Sequence, residues 1–149
     1  MHKLLFLALP LLLAGSAGPA QAKTKAADLK WGAAPPSLPS GAQMAVVSGD
    51  PGKKGMFVIE VKMPAYYAVP AHWHPTNETV KVLSGKLHYG MSDKLDMAKA
   101  KTLTVGHAVT MKAKMNHWVH APGPATIQVS GMGPFQITYV DPKDDPRNK

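Results

Sequence analysis

Residues 57–63 read Phe-Val-Ile-Glu-Val-Lys-Met. Side chains alternate faces along a strand, so Phe57, Ile59, Val61 and Met63 share one face, and Glu60 and Lys62 share the other. The alternation returns near the C-terminus, where Phe135, Ile137 and Tyr139 oppose Gln136 and Thr138. Between these stretches, short runs rich in Val, Ile, Thr and aromatics alternate with Gly, Pro, Asn and Asp, the signature of many short strands. The pattern predicts strands near 43–48, 56–62, 68–73, 78–83, 86–91, 102–105, 107–112, 117–120, 125–131 and 135–140. Only the stretch SDKLDMAKAK, residues 92–101, has a helical character. No repeat of solenoid or propeller length is present. Many strands, frequent turns and one core imply an antiparallel sandwich or barrel.

The flanks differ from this pattern. Residues 1–22 carry a basic start (His2, Lys3), an apolar run from Leu4 to Leu13 and a small-x-small sequence, Ala20-Gln21-Ala22. That is the layout of a secretory signal peptide cleaved after Ala22, which implies a secreted or periplasmic protein. A buried N-terminal helix is the alternative. The run is too short for a permanent membrane helix, and no other run is long enough, so no permanent span is expected. Residues 23–42 mix lysine, alanine and proline and read as an extended arm, with Trp31 available to dock on the core. Residues 43–141 form the predicted barrel domain, and 142–149 a polar C-terminal tail.

Composition removes several function classes. The chain has no cysteine, so disulfides and thiolate chemistry are absent. Its formal charge of +8 comes from scattered lysines and a single arginine, Arg147. Arginine dominates specific phosphate and base recognition, so nucleic acid is not an expected partner. Scattered lysines most simply solvate the surface.

Residues 72–85, HWHPTNETVKVLSG, concentrate the metal-binding residue types. On a strand His72 and His74 point to one side, where two imidazoles can converge on one ion. Glu78 keeps the same parity but would lie too far along a straight strand. The intervening Pro-Thr-Asn is turn-forming, and a bend there can bring Glu78 back. Val80 and Val82 would continue the apolar lining, with Thr79 and Lys81 outward. The competing reading is a pair of surface histidines beside a proline loop.

His72-x-His74-x3-Glu78-x6-Gly85 resembles the first motif of the cupin superfamily at every ligand position and at its final glycine. That motif usually opens on a glycine six residues before the first histidine, a position held here by Tyr66. The second cupin motif, Gly-x5-Pro-x-Gly-x2-His-x3-Asn, aligns with GHAVTMKAKMNHWVHA: Gly106 and His117 match, while Lys112, Lys114 and Ala121 replace the proline, the second glycine and the asparagine. The resemblance spans roughly residues 43–140. It implies an all-β, antiparallel double-sheet jelly-roll barrel and a ligand set of His72, His74, Glu78 and His117. Three nitrogens and a carboxylate suit one divalent transition metal (iron, manganese, nickel, copper or zinc) rather than calcium or magnesium.

Cupins include metal-dependent dioxygenases, isomerases and decarboxylases, and also non-catalytic binders. The resemblance therefore implies a mononuclear-metal oxidoreductase of dioxygenase type acting on a small organic substrate, with Glu78 doubling as ligand and proton acceptor. The alternative is a non-catalytic metal- or small-ligand-binding module, including copper handling by Met111 and Met115 with His117. Small cupins often pair, so a homodimer is expected. His120 lies three residues from His117 and reads as a rim or surface residue, with a fifth ligand as the alternative. His88 and His107 read as exposed. Lys112 and Lys114 read as solvated turn residues or as guides for an anionic substrate. Tyr66, Tyr67 and Trp118 read as packing residues, one of which could gate the barrel mouth.

Overall fold

The computed structural model describes residues 28–149; the predicted signal peptide lies outside them. In chain order the strands are β1 (Gly32–Ala33), β2 (Gln43–Ser48), β3 (Gly55–Met63), β4 (Ala68–Trp73), β5 (Glu78–Ser84), β6 (Lys86–Gly90), β7 (Lys101–Thr104), β8 (Ala108–Met111), β9 (His117–His120), β10 (Ala125–Gly133) and β11 (Thr138–Tyr139). They form two antiparallel sheets, ordered β1-β2-β3-β10-β5-β8 and β11-β4-β9-β6-β7. This is a double-sheet jelly roll whose sheets face each other without closing into one cylinder.

The predicted elements match these closely, except that β1 forms within the stretch read as an extended arm and two other elements differ. The expected strand at 135–140 narrows to Thr138–Tyr139. The stretch at 92–101 forms only a 3₁₀ turn, Met97–Lys99, capped by Asp96. Its helical composition cannot nucleate a longer helix in so few residues. The segment serves instead as a cover: Trp118 is fully buried on the outer face of its sheet, and its Nε1 donates to Ser92 Oγ at 3.0 Å. Gly90 makes this possible, since a Cβ there would lie 2.4 Å from the Trp118 ring.

The core forms where the alternation predicts. Phe57, Ile59, Val61 and Met63 are all buried, as are Val80, Val82, Ile127 and Val129. β10 pairs with β3 over its whole length and with β5 on its other side, which makes it the centre of the larger sheet. Residues 31–42 lie against this sheet: β1 pairs with β2, and Lys62 Nζ sits 3.8 Å over the Trp31 ring. At the C-terminus Asp141 and Asp145 cap two 3₁₀ turns, and Arg147 donates to the Ile137 carbonyl at 3.0 Å.

Candidate metal centre

Alternation alone would turn His72 the wrong way. Val69 faces the core opposite Val119, so a regular strand would also send residues 71 and 73 inward. The β4–β9 register shifts between Val69 and His72, however: Val69 pairs with Val119, and His72 with His117. Three steps on β4 match two on β9, which is a β-bulge, and a bulge re-aims the side chains beyond it. It lies at Pro70–Ala71, where proline cannot supply a ladder hydrogen bond. Beyond it His72 and His74 point inward.

Pro75, Thr76 and Asn77 then carry the chain from the smaller sheet to the larger one, where Glu78 opens β5. Asn77 Oδ1 accepts from Ala113 N at 2.9 Å, and Thr76 Oγ1 donates to the Met132 carbonyl at 2.9 Å. The His74 carbonyl accepts from Lys114 N at 2.8 Å. These bonds fix the turn that brings Glu78 back to the histidines, so the centre bridges both sheets.

All four side chains are buried: His72, His74, Glu78 and His117 retain 4%, 3%, 8% and 1% of their exposure. A ligand atom from each of His72, His74 and His117 lies within 4.8 Å of the others. Each imidazole is oriented by a backbone carbonyl that accepts from its Nδ1: Pro70 O for His72 (2.7 Å), Gln136 O for His74 (2.7 Å) and Met115 O for His117 (2.9 Å). That pattern fixes the tautomer and leaves Nε2 with a free lone pair, as in histidines that ligate metals. Phe135 stacks on His74 with centroids 5.1 Å apart.

Glu78 Oε2 approaches His74 Nε2 to 3.1 Å and His117 Nε2 to 3.3 Å. Neither approach has hydrogen-bond geometry, and both Nε2 atoms are buried without a partner. Lone pairs facing a carboxylate in a dry interior repel unless a proton or a cation sits among them. The residues therefore fit a metal ion: the orphaned nitrogens are the donors that would bind it. The charges respond in the same sense. Burial pushes His72 down to about 3, reinforced by the neighbouring His117 and His74. Burial also disfavours charge on His74, but the Glu78 carboxylate outweighs it and its pKa is raised. For Glu78 burial would raise the pKa; the charge of His74 and the contacts from both histidines prevail and hold the carboxyl well below its usual range.

The four side chains face a cavity of about 40 Å³, otherwise walled by apolar residues such as Ile59, Val80, Ile127 and Val129. Leu38, Tyr67, Phe135 and Ile137 complete its wall.

Residues 22–138 match the family described as a domain of unknown function, DUF4437. The chain belongs to DUF4437. No curated protein sequence matches it. Solved structures of similar fold include an RmlC-like cupin and a cupin superfamily protein, and this DUF4437 domain has the cupin fold. A putative acetylacetone dioxygenase from Methylibium petroleiphilum superposes with a TM-score of 0.66 at 17% identity, covering 87% of this chain and 88% of that one. The polyketide cyclase RemF from Streptomyces resistomycificus gives 0.65 at 15% identity, over 85% and 90%. An RmlC-like cupin from Shewanella frigidimarina gives 0.59 at 11% identity, over 76% and 91%.

Most other candidate residues of the DUF4437 domain lie off the cavity wall, although Met111 pairs across the strands with Glu78. His120 lies on the outer face of its sheet, half-buried and stacked on His88 with centroids 5.8 Å apart. His88 is thus half-buried rather than fully exposed. His107 is exposed and pairs its Nδ1 with Thr104 Oγ1 at 3.1 Å. Lys112 and Lys114 are exposed. Met111 is fully buried, whereas Met115 is 44% exposed on the turn before β9. Tyr66 is exposed and Trp118 packs on the far face, but Tyr67 lines the cavity. The orienting carbonyls of Pro70, Gln136 and Met115, the Phe135 stack and the contribution of Leu38 had no signal in the sequence, because each depends on tertiary placement.

Two of the four departures from the cupin motifs, those at glycine positions, have a backbone explanation. Tyr66 and Lys114, which stand where the motifs carry glycine, have φ of 63° and 61°. The fold keeps the left-handed conformation at both points and imposes it on residues with a Cβ.

Proposed function

We propose that this DUF4437 domain holds one divalent transition ion through His72, His74, His117 and Glu78, and acts as an oxidoreductase of dioxygenase type on a small organic substrate. The observation that carries the reading is the pair of buried, unpartnered Nε2 atoms beside the Glu78 carboxylate, with Nδ1 of all three imidazoles satisfied by the backbone. Iron, manganese, nickel, copper and zinc all suit this donor set. Such an ion acidifies and polarises the oxygen ligands it binds.

The chain's own residues supply the rest. The apolar wall excludes bulk water. The carbonyl contacts and the Phe135 stack hold the rings in place. Glu78, kept ionised, can accept a proton from a substrate hydroxyl at a carboxylate oxygen. The cupin neighbours described as a putative acetylacetone dioxygenase and an oxalate oxidase support this class. Oxygen uptake by the metal-loaded protein with phenolic and diketone substrates tests the proposal: uptake that requires metal supports it. The small cavity favours a second reading, a non-catalytic metal- or small-ligand-binding module, which predicts metal binding without uptake.

The proposal includes export, supported by the layout of residues 1–22; among the described residues no helix is long and apolar enough to cross a membrane. It also includes a homodimer. The sheets end on β1, β8, β11 and β7, and open edges invite pairing. Sedimentation of the mature chain at micromolar concentration should give twice the monomer mass; the monomer mass would rule pairing out.

A further inference from the structure

The loop Pro35–Ser40 meets the cavity through Leu38. The Leu38 side chain forms part of the wall. The carbonyls on either side of it each accept a hydrogen bond from a tyrosine of the barrel. Tyr139 Oη donates to Ser37 O at 2.7 Å, and Tyr67 Oη donates to Pro39 O at 2.6 Å. Both tyrosines are 6% exposed, and the Tyr139 ring lies 5.9 Å from that of His72. The loop is a tight turn, with Leu38 N donating to Pro35 O at 2.9 Å.

The free space of about 40 Å³ admits a few water-sized molecules and no organic ligand. An organic ligand can reach the histidines only if a wall residue gives way. Most other wall residues sit on strands of the two sheets; Tyr67 and Ile137 adjoin the ends of β4 and β11, His74 belongs to the metal site and Phe135 stacks on it. Leu38 sits on a loop outside both sheets. Its departure alone would leave two buried phenol groups without acceptors, which is unfavourable. A ligand that brings its own oxygens removes that cost. The loop thus presents an aliphatic group flanked by two carbonyl oxygens, and it occupies the place of a ligand with the same features.

We propose that Tyr67, on the cavity wall, and Tyr139, off the wall but beside His72, form a ligand-orienting subsite beneath Leu38, that Leu38 is its plug, and that the ligand is a short aliphatic molecule with two carbonyl-type oxygens. The ligand replaces Ser37 O and Pro39 O as the acceptor of the two phenol hydrogens. This inference rests on the reading of the cavity as a ligand site.

The chain lacks cysteine, so Leu38→Cys in the mature protein gives a unique thiol at the plug. Its labelling by an aromatic disulfide reports opening. Dimethyl malonate, uncharged and with two carbonyl oxygens, serves as the probe for the zinc-loaded protein. It should accelerate labelling about tenfold. Adding Tyr67→Phe and Tyr139→Phe should make labelling fast without the probe and insensitive to it. Where Leu38→Cys fails to fold, hydrogen exchange of the Leu38 amide in the unsubstituted chain should show the same acceleration by the probe. A probe without effect on either readout overturns the proposal, as does a probe effect that survives the loss of both phenols. The same response in zinc-free protein still supports the subsite, while failure of the protein to bind zinc at all counts against the metal reading, which keeps the two separable.

Discussion

His74 Nε2 lies 3.1 Å from Glu78 Oε2, across a three-residue turn that crosses from one sheet to the other. The turn makes a carboxylate of the larger sheet a neighbour of three imidazoles from the smaller one. Two acceptors held this close require a cation or a proton between them.

If Glu78 both binds the ion and accepts a proton, Glu78→Gln should keep much of the metal, because an amide oxygen still coordinates weakly. Turnover should fall by about 10²-fold or more, the scale for losing a general base. Full activity with metal retained would reduce Glu78 to a ligand. Loss of metal and stability, with no activity in any form, would favour the binding module.

Acid should weaken the metal-free fold. His72 is held to about 3 against an ordinary value of 6.5, so between these values the unfolded chain takes up a proton that the folded chain refuses. Stability then falls as pH falls through this window, by up to roughly 1.4 kcal/mol per unit. Glu78, held low, adds to the loss below its ordinary 4.5. His74, raised, acts in the opposite sense: its contribution is present below 6.5 and lost as pH rises through its folded value. Urea midpoints of metal-free protein should therefore drop between about pH 6 and pH 4. A flat profile would show that His72 is not buried in its neutral form.

Much of this architecture was legible in the sequence, for a physical reason. Alternation in FVIEVKM and FQITYV reports which face meets the core, and local punctuation marks the turns. The His72, His74 and Glu78 grouping was legible because its members share one short stretch. The bulge at Pro70–Ala71 was not, although it aims the histidines inward, because a register shift exists only between two strands. The Leu38 plug was hidden for the same reason: it meets Tyr67 and Tyr139 only after the barrel has formed.

Tyr66 and Lys114 should each tolerate glycine with a gain in stability. Both have φ near 60°, and Tyr66 is 80% exposed, so little packing is lost. Tyr66→Gly and Lys114→Gly should each add up to about 1 kcal/mol, the left-handed penalty less the entropy of glycine. Thermal melts would show a rise of a few degrees. A fall would mean that these side chains make contacts worth more than the strain.

Gly90→Ala should do the reverse. Its Cβ would meet the Trp118 ring at 2.4 Å, and Trp118 follows His117 of the candidate metal centre. Overpacking of this kind costs about 1–3 kcal/mol. Melting temperature should fall, and an unchanged melt would show that the cover formed by residues 91–100 yields easily.

The central claim is that His72, His74, His117 and Glu78 form one metal centre. Metal analysis of protein purified from its native compartment, beside His74→Ala treated identically, tests it most directly. The account predicts about one divalent transition ion per chain, a melting temperature lowered by chelator, and loss of both metal and chelator sensitivity in His74→Ala, since ligand binding stabilises the fold by mass action. Equal metal content in the two proteins, or a melting curve unchanged by verified metal removal, would contradict it.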